Sequence, residues 1–159
     1  MAVLHAGDGP LPAADVHPAG LDAAPLPYTQ MHATAAAALP AGKADVAYSV
    51  QLTGDMMSYR WGLKAPESGG ATMPVKLGQR VRLVFRNDTS MWHPMHLHGH
   101  TFQLITGAGT GPRKDAVIVP PRSSVTVEFL ANNPGQWMLH CHNVYHAEAG
   151  MMTTLSYVQ

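Results

Sequence analysis

From residue 45 to the C-terminus, short apolar-rich runs alternate with clusters of turn-forming residues. Val81-Arg-Leu-Val-Phe and Val125-Thr-Val-Glu-Phe show the period-two alternation or β-branched character of half-buried strands. The same reading places strands over residues 46–53, 58–63, 80–86, 101–106, 116–119, 124–130, 136–141 and 152–158. Gly107-Ala-Gly-Thr-Gly-Pro112, Pro120-Pro121 and Asn132-Asn-Pro-Gly135 punctuate them as turns. Eight short strands without a long amphipathic helix predict an all-β, two-sheet antiparallel sandwich over 45–159.

Residues 1–44 have a different texture. Pro10, Pro12, Pro18, Pro25, Pro27 and Pro40 are spaced so that neither a regular helix nor a central strand can form. This irregular Ala/Pro-rich stretch is expected to be an interdomain connector, with one helical turn near 34–39 and the opening Ala-Val-Leu as the end of a preceding strand. The whole chain, at 159 residues, fits one domain.

Composition narrows the chemistry. Ten basic residues balance ten acidic ones, so nothing electrostatic points to nucleic acid or an anionic membrane. No stretch approaches the roughly 20 apolar residues of a membrane helix, and the N-terminus lacks the basic-then-apolar pattern of a secretory signal. A single cysteine excludes an internal disulfide.

That cysteine is flanked by histidines. In His140-Cys141-His142-Asn-Val-Tyr-His146-Ala-Glu-Ala-Gly-Met151 a thiol, imidazoles and a thioether fall within twelve residues. Two imidazoles and a thiolate with a long axial thioether form a blue-copper electron-transfer site. Cys141, His146 and Met151 supply three of these donors; spacing prefers Met151 to Met152, which begins the last strand. The second imidazole must come from the other dense cluster, His93-Pro94-Met95-His96-Leu97-His98-Gly99-His100. Pro94 predicts a turn between His93 and His96, placing these ligands on a loop. Alternate residues of a strand share a face, so His140 and His142 should point one way and Cys141 the other, with the two histidine Cα atoms about 6.6–7 Å apart. His96 and His98 repeat that spacing. One cysteine among seven clustered histidines does not suit structural zinc.

Together the two motifs resemble the C-terminal cupredoxin domain of bacterial laccase-like multicopper oxidases. His93, Pro94, His96 and His98 match the family's His-Pro-x-His-x-His, and His140, Cys141, His142, His146 and Met151 match its His-Cys-His motif with the following histidine and axial residue. The resemblance spans about 45–159 and includes Gly54-Asp-Met-Met-Ser-Tyr-Arg-Trp-Gly62 and Val81-Arg-Leu-Val-Phe-Arg-Asn-Asp88. It implies a cupredoxin-like Greek-key β-sandwich that binds copper. His93, Cys141, His146 and Met151 would hold a type 1 copper, His96 would be a type 2 ligand, and His98, His140 and His142 would be type 3 ligands. Electrons would pass from Cys141 through His140 and His142.

The resemblance also implies an exported parent that oxidises phenolic or similar small reductants with dioxygen. Such an enzyme needs two further His-x-His pairs from a first cupredoxin domain, and none precedes residue 93. His5, His17 and His32 are isolated and expected on the surface, and His100 is expected to pack beside the ligands rather than join them. The chain then reads as one domain with half of a trinuclear cluster. Its partner would be the missing domain or a second copy, and a stand-alone type 1 electron carrier is the alternative.

Overall fold

A computed structural model of the chain describes residues 7–10, 13, 15–107 and 109–159. His5 and the opening Ala-Val-Leu lie outside the described residues. Eleven strands form among the described residues: β1 Val46–Asp55, β2 Arg60–Lys64, β3 Thr72–Val75, β4 Arg80–Asn87, β5 His93–Leu97, β6 Phe102–Thr106, β7 Gly109–Lys114, β8 Ala116–Val119, β9 Ser124–Leu130, β10 Gln136–Cys141 and β11 Met152–Tyr157. A short helix, α1 (Val144–Glu148), interrupts the last connection. It is far too short to cross a membrane, and no described helix is long and apolar enough to do so.

The strands make two sheets, β2-β1-β4-β9-β6-β7 and β3-β11-β10-β5-β8. Alternation does the sorting. In β4, Val81, Leu83 and Phe85 turn inward while Arg82 and Arg86 face solvent. Across the sandwich they meet Met73, Leu97, Leu139 and Leu155 in one apolar core.

The expectation of purely antiparallel sheets needs correction. β1 runs parallel to β4, and β3 parallel to β11. The chain leaves the first sheet after β2, lays β3 at the edge of the second, and returns beside β1; such a crossover yields a parallel pair, which a tight hairpin cannot.

The turn predicted between His93 and His96 is likewise absent. Residues 93–97 are the fifth strand, paired to β10 on one side and β8 on the other. Pro94 is tolerated there because its carbonyl accepts from His142 N (2.7 Å), just past the end of β10. A residue's N–H and C=O leave the strand on the same side, so the donor that proline lacks faces a position where the ladder has already ended.

The outer face of the first sheet is covered by the end of the Ala/Pro-rich segment. Residues 34–38 make the expected single turn, Leu39 is buried, and its N–H donates to the buried Gln103 side chain (2.8 Å). The Arg80 guanidinium donates to the Pro40 carbonyl and, with Arg82, grips the buried Glu128 at 2.6 Å from each. Breaking a buried pair leaves an uncompensated charge, so Glu128→Ala should cost about 3–5 kcal/mol of unfolding free energy, read from urea denaturation. A loss below about 1 kcal/mol would mean that water reaches these guanidinium groups freely.

Candidate metal centres

Two groups of ligand-type side chains lie on opposite faces of the second sheet. The inward one is His93, Cys141 and His146, whose ligating atoms lie within 4.8 Å of one another. His93 shares the inward parity of Met95 and Leu97, and Cys141 that of Leu139. His146 comes from α1, capped by the Asn143 side chain, which accepts from Tyr145 N. Both imidazoles turn Nδ1 toward the thiol: His93 Nδ1 is 3.8 Å and His146 Nδ1 3.9 Å from Cys141 Sγ, and the two nitrogens are 3.1 Å apart.

Met151 is held against this group by backbone bonds. Its N–H donates to His146 O (2.9 Å), and its carbonyl accepts from Cys141 N (3.1 Å). Its side chain is fully buried, whereas Met152 is exposed in β11. The turn before it requires Gly150, whose φ is +112° and where a Cβ would fall 2.5 Å from Trp61 O.

Burial sets the protonation of the group. It drives His93 down to about 4, with the neighbouring His146 as the lesser cause. It also lowers His146 and raises the Cys141 thiol, the latter partly offset by the Asn143 N–H. Neutral, buried imidazoles and a buried thiol are a soft donor set that a copper ion fits, since its charge compensates the thiolate that burial alone disfavours.

The outward group is His96, His98 and His140, also within 4.8 Å of one another in their ligating atoms. His96 and His140 are direct register partners across β5 and β10. His98 Nε2 and His140 Nε2 are 3.0 Å apart. His142 stands just past the strand, its ring 4.6 Å from that of His96 and 5.5 Å from that of His140. His96 Nδ1 donates to the Asp115 carbonyl (2.7 Å), which leaves Nε2 bare for a ligand. Burial, then the neighbouring histidines, lower His98 and His142, with Asp115 opposing the shift at His142.

The other histidines behave differently. His100 is buried with both nitrogens engaged within the protein, by His98 O (3.0 Å) and the Tyr157 hydroxyl (2.8 Å). His17 and His32 are exposed, and His17 pairs with Asp22. Sequence reasoning gave no role to Trp61, whose indole stacks on His146 (4.2 Å between centroids) and meets His93 edge-on at 5.3 Å. Its segment was legible as part of the resemblance, but nothing in the spacing links residue 61 to residue 146.

A two-sheet sandwich carrying a buried two-histidine, one-cysteine group at one end defines a cupredoxin-like copper domain. The sequence profile of the multicopper oxidases matches residues 43–158. The chain is 50% identical over 111 residues to the multicopper oxidase MmcO of Mycobacterium tuberculosis, covering 69% of this chain and 22% of that protein. It is 38% identical over 104 residues to copper resistance protein A of Escherichia coli, covering 64% of this chain and 17% of that one. Among solved structures it superposes on the Campylobacter jejuni multicopper oxidase with a TM-score of 0.66 at 21% identity, over 76% of this chain and 31% of that one. This chain belongs to the multicopper oxidase family, and it spans about a fifth of the length of these curated relatives.

Proposed function

We propose that the chain is the C-terminal copper domain of a laccase-like oxidase, with residues 1–44 as its connector. His93, Cys141 and His146 would hold a type 1 copper with Met151 as axial donor. His96 would contribute to a type 2 site and His98, His140 and His142 to a type 3 pair. The carrying observation is that the buried thiol sits between two outward histidines at the end of β10: Cys141 is covalently continuous with His140 and His142 while its side chain points to the face opposite that of His140.

Copper, when bound, supplies one-electron chemistry at the thiolate site and, in a completed cluster, reaction with dioxygen. The chain's own contribution is rigidity. The inward ligands sit in a close-packed core, so little need rearrange when the ion changes charge. The peptide bonds joining Cys141 to its neighbours give the shortest covalent route between the two faces.

The outward histidines are one half of a site. We read their missing partners as a first cupredoxin domain in an exported parent that oxidises phenolic or similar small reductants. A second copy of this chain is the competing source, and a stand-alone carrier would need neither.

Metal counting with a visible spectrum tests the reading. The chain should take up one copper in a blue site and a second, weaker metal at the outward histidines, released on acidification as protons compete with the metal for the imidazoles. His96→Ala/His142→Ala should keep the blue copper and lose the second metal in a zinc titration. Equal zinc uptake by both proteins would remove the half-cluster, and full dioxygen reduction by a strict monomer would remove the need for partner histidines.

A further inference from the structure

We propose that Asn87 and Thr89 fix the His93 ring in the tautomer that leaves Nδ1 bare, readying that nitrogen for metal; the inference rests on His93 being a ligand of the thiol-bearing site. Asn87 ends β4 with the inward parity of Leu83 and Phe85, so its amide is buried. Its Nδ2 faces three carbonyls, Met91 O at 2.7 Å, Pro120 O at 2.9 Å and Val119 O at 3.1 Å. Carbonyls only accept, so the NH2 end must lie there and Oδ1 on the opposite side.

Oδ1 then faces Thr89, accepting from its N–H (2.9 Å) and its hydroxyl (2.8 Å). The hydroxyl has one hydrogen, and giving it to His93 Nε2 would leave a bare oxygen facing Oδ1 at 2.8 Å and Met91 O at 3.1 Å, so it goes to one of these two acceptors. By either route the hydrogen points away from His93. Only lone pairs remain for Met91 N–H at 3.2 Å and His93 Nε2 at 2.8 Å. Nε2 must therefore be the donor. A neutral imidazole with its hydrogen on Nε2 has a bare Nδ1, and that is the nitrogen turned toward Cys141 Sγ.

Asn87 and Thr89 are each 2% exposed and His93 is fully buried, so solvent cannot supply a competing donor. His146 has no equivalent relay. Its Nε2 meets only the Asn143 amide, at a long 3.4 Å, and its ring is positioned by stacking on Trp61. One ligand is thus set by hydrogen bonds and the other by packing. Asn87 and Thr89 are positioning residues that act through His93.

Long-range proton–nitrogen NMR on the metal-free full chain reads the tautomer directly. Wild type and Thr89→Ser should show His93 protonated at Nε2, and Thr89→Val, which keeps the shape but loses the acceptor, should show a mixture with Nδ1–H. Competition titration against a chelator should find copper affinity about 10–100-fold weaker in Thr89→Val and restored in Thr89→Ser. A wild-type His93 protonated at Nδ1 overturns the proposal, as does a Thr89→Val protein with unchanged tautomer and affinity. If Thr89→Val does not fold, the wild-type spectrum decides alone. Because that spectrum needs no metal, it is independent of whether a blue site forms, which tests only the ligand reading.

Discussion

Cys141→Ser should abolish essentially the whole visible band of the copper(II)-loaded protein. A thiolate–copper bond gives an intense charge-transfer absorption that imidazole ligands do not, and serine offers no soft donor in its place. The cavity would barely change, since oxygen replaces sulfur at a buried position between His93 and His146. Loss of colour with retained fold would therefore isolate the donor. Met151→Leu is the companion: the band should survive and the reduction potential should rise, because the weak axial donor is removed. A blue Cys141→Ser protein would sink the assignment, and a potential that moves with Met152→Leu instead would transfer the axial role.

The second large effect is acid sensitivity of the metal-free protein. His93 titrates at about 4 in the folded chain against 6.5 for the free side chain. The stability tied to its neutral form is fully present above 6.5. As pH falls, the unfolded chain binds a proton that the folded site refuses, so stability drops until about pH 4. The loss reaches about 3 kcal/mol over that window, and His146, His98 and His142, all lowered chiefly by burial, act in the same direction. Urea denaturation at pH 7.5, 5.5 and 4.5 measures it. A flat profile would mean that the folded site protonates as readily as the free side chain.

Much of this was legible in the sequence. Ala116–Val119, Ser124–Leu130 and Gln136–Cys141 fall where alternation put them, because their apolar periodicity is uninterrupted. The opposed directions of Cys141 and His140 followed from strand parity alone. β3, β5 and β7 were missed for a common reason. Each contains a proline, and β7 also has Gly109 and Gly111; around Pro94 and Pro112 that chemistry argued for turns, and residues 72–75 were given no element. In β3 and β7 the proline lies in an edge strand, and in β5 it faces the exhausted end of β10. Which strand neighbours which is set by long-range pairing that local sequence does not encode. Trp61, Asn87 and Thr89 escaped for the same cause, although a buried-parity asparagine six residues ahead of His93 is a signal that proton counting can use.

The shared strand β10 also constrains how this protein can change over generations. Because side chains alternate with a period of two, inserting or deleting one residue between Gln136 and Cys141 would swing the thiol to the open face and the neighbouring imidazole into the core. Both centres would be lost in a single genetic event, whereas a two-residue change would at least preserve their handedness. Length variation in this lineage should therefore collect in the turn before Gln136 and avoid the strand itself, where the reading frame of the fold is as strict as that of a codon.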